Sequence, residues 1–189
     1  MSELPAAPPS PPATPRREWR WLPVLAVLAV IALIEGGGTL AGASATPAGQ
    51  PLLVGGAVRI GPPSGWTAAE PPGAPQELVL TRGTVTLRVI AVPGPIGLDE
   101  LATKYLAEVL HPRFDAVTIG QPSVGSLASG VPTLRFGYVG VADGVLIEGV
   151  ATFAAAPTEG AVFDASAPKG DLAWAAPDLE STIRGAEVG

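Results

Sequence analysis

The 189-residue chain contains no cysteine. Disulfide frameworks, zinc-thiolate sites and cysteine nucleophiles are therefore excluded, and any folded part outside the cytoplasm must rely on its core alone. Histidine occurs once, at His111, so a Ser/His/Asp triad has a single candidate base and a metal site would have to use oxygen ligands. His111 precedes Pro112 at the expected end of a helix, where an imidazolium interacts favourably with the helix dipole; it reads as a helix-end residue and not as a base. Basic residues are sparse. From Ala57 onward eight Lys/Arg are scattered among fourteen Asp/Glu, a net of −6 without a basic stripe, which argues against nucleic-acid binding. Glycine-rich phosphate loops are missing too, since Gly36 to Gly38 follow an apolar segment and not a soluble strand.

What the chain does have is organised in blocks. Residues 1–15, "MSELPAAPPSPPATP", hold six prolines and no apolar period, so they read as a disordered Pro-rich tail, residues 1–20 with the following basic stretch. The PxxP spacings Pro5 to Pro8 and Pro12 to Pro15 imply no partner. Arg16, Arg17 and Arg20 then precede an uninterrupted apolar run from Trp21 to Ile34, and this excess of arginine holds the N-terminal side in the cytoplasm. A transmembrane helix over 21–43 follows from the run length, with Trp19 and Trp21 at the interface, because about 20 residues cross a hydrocarbon core of about 30 Å. Glu35 falls inside that span, about 21 Å from its inner edge and about 9 Å from its outer one. Nine Leu, Ile and Val residues between Leu22 and Ile34 outweigh its insertion cost.

Two further readings concern this block. A signal peptide with its apolar region at Leu22 to Ile34 and cleavage near residue 45, after Ala43-Ser44-Ala45, would release the remainder, but the spacer from Glu35 to Ala45 is long for a cleavage region. Glu35 itself is either an intramembrane pairing site or the fraying border of the helix, and the three glycines after it favour the border. Residues 44–56, "SATPAGQPLLVGG", read as a flexible linker.

From Ala57 to Gly189 short alternating runs punctuated by turn residues predict strands. "AVRI" leads into the tight loop "GPPSGW", which delivers Trp66 to cover a core. "QELVLTRGTVTLRVIAV" predicts a hairpin turning at Arg82-Gly83, with Leu78 opposite Leu87, Leu80 opposite Val85 and Glu77 opposite Arg88. A helix follows, since Leu98, Leu101, Ala102, Tyr105, Leu106, Val109 and Leu110 fall on one stripe, with Pro112 closing it. Asp143-Gly144 suits a two-residue type I′ turn. Pairing Ala142 with Val145 then sets Leu134 against Phe153, Phe136 against Ala151 and Tyr138 against Gly149 on a core face, leaving Thr133, Arg135, Val139, Glu148 and Thr152 on a partly wet face. A strand at about Ala161 to Ala165, a loop "SAPKGD" and a short helix from about Asp178 to Gly185, capped by Asp178, complete the chain. The fold class is α+β: an antiparallel sheet packed by one long and one short helix, preceded by a single transmembrane helix.

The order "GPPSGW", hairpin, "LDELATKYLAEVL", the hairpin around "DG", "AVFDASAPKGDL" and "PDLESTIRG" resembles the Mog1/PsbP-like family over about residues 57–187. That family includes small actinobacterial envelope lipoproteins and membrane-anchored relatives. The chain departs from the lipoproteins in lacking a lipobox cysteine, which leaves the apolar helix as its tether. The resemblance implies a non-catalytic binding or assembly domain of the cell envelope, with no cofactor, whose partner is an envelope protein or a small ligand.

Two alternatives stand beside that reading. One is an exported hydrolase using paired carboxylates, for which fourteen acids are available and no pair is singled out. The other is a membrane subunit acting through Glu35. Asp164, Asp171 and Asp178 recur every seven residues without calcium-loop spacing and read as turn and cap residues. No catalytic, metal or cofactor residue is therefore assigned.

Overall fold

The computed structural model describes residues 50–189. The Pro-rich tail, the expected span 21–43 with Glu35, and the first part of the 44–56 linker lie outside the described residues. Among the described residues no helix is long and apolar enough to cross a membrane.

An antiparallel sheet of eight strands organises the domain. Along it run β3 (Thr67–Ala69), β4 (Glu77–Arg82), β5 (Val85–Pro93), β10 (Glu159–Pro168), β9 (Val145–Ala155), β8 (Pro132–Ala142) and β6 (Ala116–Ile119), while β7 (Ser123–Ser126) pairs with the other half of β8. A second sheet joins β1 (Leu52–Val54), β2 (Val58–Ile60) and β11 (Glu187–Val188). The strand β1 occupies part of the stretch expected to be linker: Leu52 pairs with Ile60 and Val54, which is buried, with Val58. Three residues between glycines and prolines are too few to show a period, so the strand is set by its partner and not by local pattern.

The β8–β9 hairpin has the predicted register, Ala142 with Val145, Tyr138 with Gly149 and Leu134 with Phe153. Asp143 at φ 50° and Gly144 at φ 77° supply the two positive values that a type I′ turn needs. The β4–β5 hairpin is displaced by two residues from expectation: Leu80 faces Leu87, Leu78 faces Val89, and Glu77 faces Ile90. Its loop is Gly83-Thr84, with positive φ at Gly83 alone, which is the type II′ pattern. Arg82 in the first loop position would have had to take that φ itself. Because the slip is even, the same residues stay on the same face. Glu77 and Arg88 still meet diagonally, at 2.8 Å.

Both faces of the sheet are covered. On one lies α1 (Leu98–Tyr105), continued by a π-helical turn Leu106–Leu110 and by α2 (His111–Arg113). Leu101, Tyr105 and Leu110 of this stripe pack with Phe136, Phe153 and Val162. The helix was expected to stop at Pro112 but reaches Arg113. A proline ring collides with the carbonyl four residues earlier in an α-helix, and the widened turn, in which the His111 amide bonds the Leu106 carbonyl, relieves that geometry.

On the other face α3 (Leu172–Arg184) and the small sheet enclose Ile60, Leu80, Leu87, Val89 and Phe163. The terminal helix is thus not short. It begins six residues before the expected Asp178 and carries Pro177 inside. Its entry is not capped by its own Asp171, since the Glu148 carboxylate on β9 accepts the Gly170 and Leu172 amides at 3.0 and 3.1 Å. That cap comes from another element, so nothing local in the sequence announces the true start. Strand β10 is buried on both sides along almost its whole length, Asp164 and Ser166 included, and extends past the expected Ala161 to Ala165 at both ends.

Candidate functional site

A concavity lies on the face of α3. Strand β7, the β8–β9 surface and the helix bound a groove of about 390 Å³. Leu172, Leu179 and Ile183 form its apolar wall because they recur along one side of α3, while Thr133, Val150 and Thr152 contribute to its floor. Thr133 and Thr152 are buried, whereas Arg135 and Val139, on the same face, remain exposed, so the partly wet face expected for this hairpin is found. At the rim Arg135 bonds Glu180 at 2.9 Å, and Arg184 makes no ion pair among the described residues. A smaller hollow of about 220 Å³ is lined by Pro63, Asp178, Ser181 and Thr182. There Asp178 accepts from Arg82 at 2.7 Å and from the Trp66 indole at 3.4 Å, and the Arg82 guanidinium stacks 5.2 Å above the Trp174 ring.

Each concavity therefore offers one carboxylate, and each carboxylate is held by an arginine. General acid and base work on opposite sides of a substrate needs two, about 5 to 10 Å apart. Among the described residues no three potential metal ligands cluster either.

The strongest polar feature is under α1, away from both hollows. Asp164 is fully buried in β10 and accepts hydrogen bonds from the hydroxyls of Tyr105 (2.7 Å) and Tyr138 (2.6 Å) and from the Arg113 guanidinium (3.0 Å). Arg113 also donates to Ser166 at 3.0 Å. Sequence spacing explains the convergence. Tyr105 belongs to the helix stripe, Arg113 follows Leu110 by three, and Asp164 and Ser166 alternate on one side of β10. Tyr138 reaches Asp164 by lying flat over its cross-strand partner Gly149, where a Cβ would stand 2.1 Å from the ring. Only glycine leaves that space.

Burial, with the Asp164 charge adding to it, pushes both phenols well above their ordinary 10.0. Arg88 moves up as well: burial alone would lower it, but the Glu77 hydrogen bond and charge outweigh that. The tyrosines give a sharp expectation, because the chain has only these two. Above pH 10.0 the unfolded state releases phenol protons that the folded state retains, so stability falls as pH rises, by about 1.4 kcal/mol per pH unit for each tyrosine. Tyrosinate absorbance should therefore appear together with the loss of circular dichroism, in one transition. A phenol that titrates near 10 in the folded chain would contradict the network.

The residues singled out in the sequence fare differently. Asp164, grouped with the turn and cap aspartates although it falls within the expected Ala161 to Ala165 strand, lies in that strand as the buried centre of the network. Asp171 precedes α3 and accepts from Thr84 at 2.8 Å, and Asp178 lies inside that helix, where it does not cap. His111 is exposed, one turn inside the longer helix. Trp66 is buried as expected. Glu35 lies outside the described residues. The groove was not foreseen, because its lining is drawn from segments as far apart in sequence as Ser123 and Arg184.

Taken together, the two-faced antiparallel sheet, the helix over its polar centre and the terminal helix beside a groove define an α+β domain of the Mog1/PsbP-like fold. The cyanobacterial PsbP protein CyanoP from Synechocystis superposes with a TM-score of 0.57 at 13% identity, over 80% of this chain and 100% of that one. LpqN of Mycobacterium tuberculosis, described as involved in cell envelope biogenesis, superposes at 0.52 with 13% identity over 75% and 86% of the two chains. A Mog1 variant superposes at 0.51 with 12% identity over 74% and 95%. No protein-family model matches the sequence, and no curated protein matches it.

Proposed function

We propose that the chain is a single-pass membrane protein of the cell envelope, N-terminus cytoplasmic, whose outer domain binds or assembles with a partner without catalysing a reaction. The observation that carries the binding part is the groove beside α3. It is apolar on one wall, polar on its floor, and its single carboxylate is already engaged by Arg135. That chemistry suits holding a partner, and the single carboxylate favours this reading over the paired-carboxylate alternative. The fold shared with an envelope-biogenesis protein supports the location, and the arginines before residue 21 support the orientation.

Cell fractionation with N-terminal sequencing tests the anchor. The expected product is an intact chain in the membrane fraction, with its outer domain open to protease from outside the cell. A chain beginning at Thr46 and free in the medium would replace the anchor by a signal peptide. In the same experiment Glu35→Leu should leave both membrane recovery and co-purifying partners unchanged, as a helix border would; loss of a partner would transfer the working role to Glu35.

A further inference from the structure

Among the described residues the β7 edge of the large sheet is bonded on one side only. Residues 120–122 face just Phe136 and Gly137, because the register shifts by one between β6 and β7, and this bulge separates β7 from the strand before it. The four residues of β7, Ser-Val-Gly-Ser, are all exposed, and Val124 is 85% exposed. Exposed sheet edges are usually blocked by lysine, proline, a covering element or an inward charge. Within β7 there is no charge and no proline.

Which backbone groups are free follows from the ladder. The Leu127 amide bonds the Val131 carbonyl at 2.9 Å, so Leu127 and Val131 are a hydrogen-bonded pair. Bonded and non-bonded pairs alternate in an antiparallel ladder. Gly125 with Thr133 and Ser123 with Arg135 are then bonded, whereas Val124 and Ser126 turn their N–H and C=O groups outward. Pro132, opposite Ser126, has no N–H to give, which agrees with this phase.

We propose that β7 takes an extended peptide as an added strand, with alternate apolar side chains reaching the groove and a carboxylate reaching Arg184. The backbone edge supplies the pairing, and the Leu172, Leu179 and Ile183 wall selects apolar side chains. Charge complementarity selects the acid. Of the charged groups on the groove, Arg135 and Glu180 satisfy one another, and Arg184 is left without an ion-pair partner among the described residues. This deepens the binding role proposed above for the outer domain and rests on it.

The test uses the full chain in dodecyl maltoside and a fluorescein-labelled nine-residue peptide that alternates valine with threonine and carries one central glutamate. Saturable anisotropy and slowed hydrogen exchange in a fragment covering 121–127 are expected. Val124→Pro removes an outward N–H and leaves the β8 ladder intact, so it should weaken binding about tenfold while melting as the parent does. A peptide N-methylated at alternate residues should fail on the unaltered chain, which keeps the test independent of any folding defect in the variant. Arg184→Gln should weaken the glutamate peptide several-fold and leave its glutamine counterpart unchanged. Absence of binding, equal binding by the N-methylated peptide, or an exchange change confined to self-associated chains would overturn the proposal, the last in favour of a second copy. A membrane-bound chain that ignores the peptide sinks only the strand addition, whereas a chain released at Thr46 that binds it sinks only the anchor.

Discussion

Asp164→Ala is expected to cost about 3 to 5 kcal/mol of stability, the range for breaking a buried charge-assisted network by removing its centre. Two phenols and a guanidinium converge on this carboxylate within 3.0 Å, in a site with no solvent exposure. Alanine leaves both tyrosine hydroxyls without an acceptor under α1, and unsatisfied buried donors cost about 1 to 3 kcal/mol each. Arg113 suffers less, because its side chain is 31% exposed and can turn to water. Against a typical domain stability of about 5 to 15 kcal/mol, such a loss brings the chain near its unfolding threshold.

The comparison that decides the mechanism is Asp164→Leu combined with Tyr105→Phe and Tyr138→Phe. Removing both phenols along with the charge leaves only Arg113, which is 31% exposed and keeps its bond to Ser166, so the triple variant should be more stable than Asp164→Ala alone despite its three changes. Urea midpoints at constant slope measure both. If the single variant loses under about 1 kcal/mol, or the triple variant is the weaker of the two, the carboxylate is not what holds this face.

Legibility in the sequence tracked how local the determinants were. The Asp143-Gly144 turn and the pairings it implies were readable because two residues set the register and alternation carries it along both strands. The stripe from Leu98 to Leu110 was readable for the same reason, at helical period. Glu77 and Arg88 were correctly joined through an incorrect register, since diagonal and direct neighbours are both within reach of long side chains. By contrast, the start of α3 depends on Glu148, more than twenty residues upstream, and Pro177 pointed the other way. Strand β1 is defined by pairing with β2.

The candidate site shows the same division more strongly. Every member of the Asp164 network was visible as a residue, but an aspartate between Phe163 and Ala165 gives no local sign that Tyr105, Arg113 and Tyr138 will meet it. The seven-residue recurrence of Asp164, Asp171 and Asp178 suggested turn and cap residues. They occupy a buried strand, the approach to a helix and its interior. Similarly, β7 is too small and polar to register as a strand, although its exposed residues line the groove.

Phe153→Ala should be as damaging as Asp164→Ala, through packing and not through charge. Phe153 is fully buried near the C-terminal end of β9, with its ring 5.6 Å from Tyr105 at 66° and 5.3 Å from Phe136. Truncation removes a large apolar side chain and leaves a cavity between α1 and the sheet, a change that costs about 3 to 5 kcal/mol. The edge-to-face contact with Tyr105 accounts for about 0.5 to 1.5 kcal/mol beyond burial. Tyr105 touches both Phe153 and Asp164, so the two positions should not be independent. Once its packing partner is gone, the phenol can shift from its 2.7 Å bond, and combining Phe153→Ala with Tyr105→Phe should cost at least about 0.5 kcal/mol less than the sum of the two single changes. Phe153→Leu, which fills most of the space, should recover the greater part of the loss. Additive effects in the double variant would show that the core and the polar network beneath α1 are stabilised separately, with Tyr105 joining them only in space.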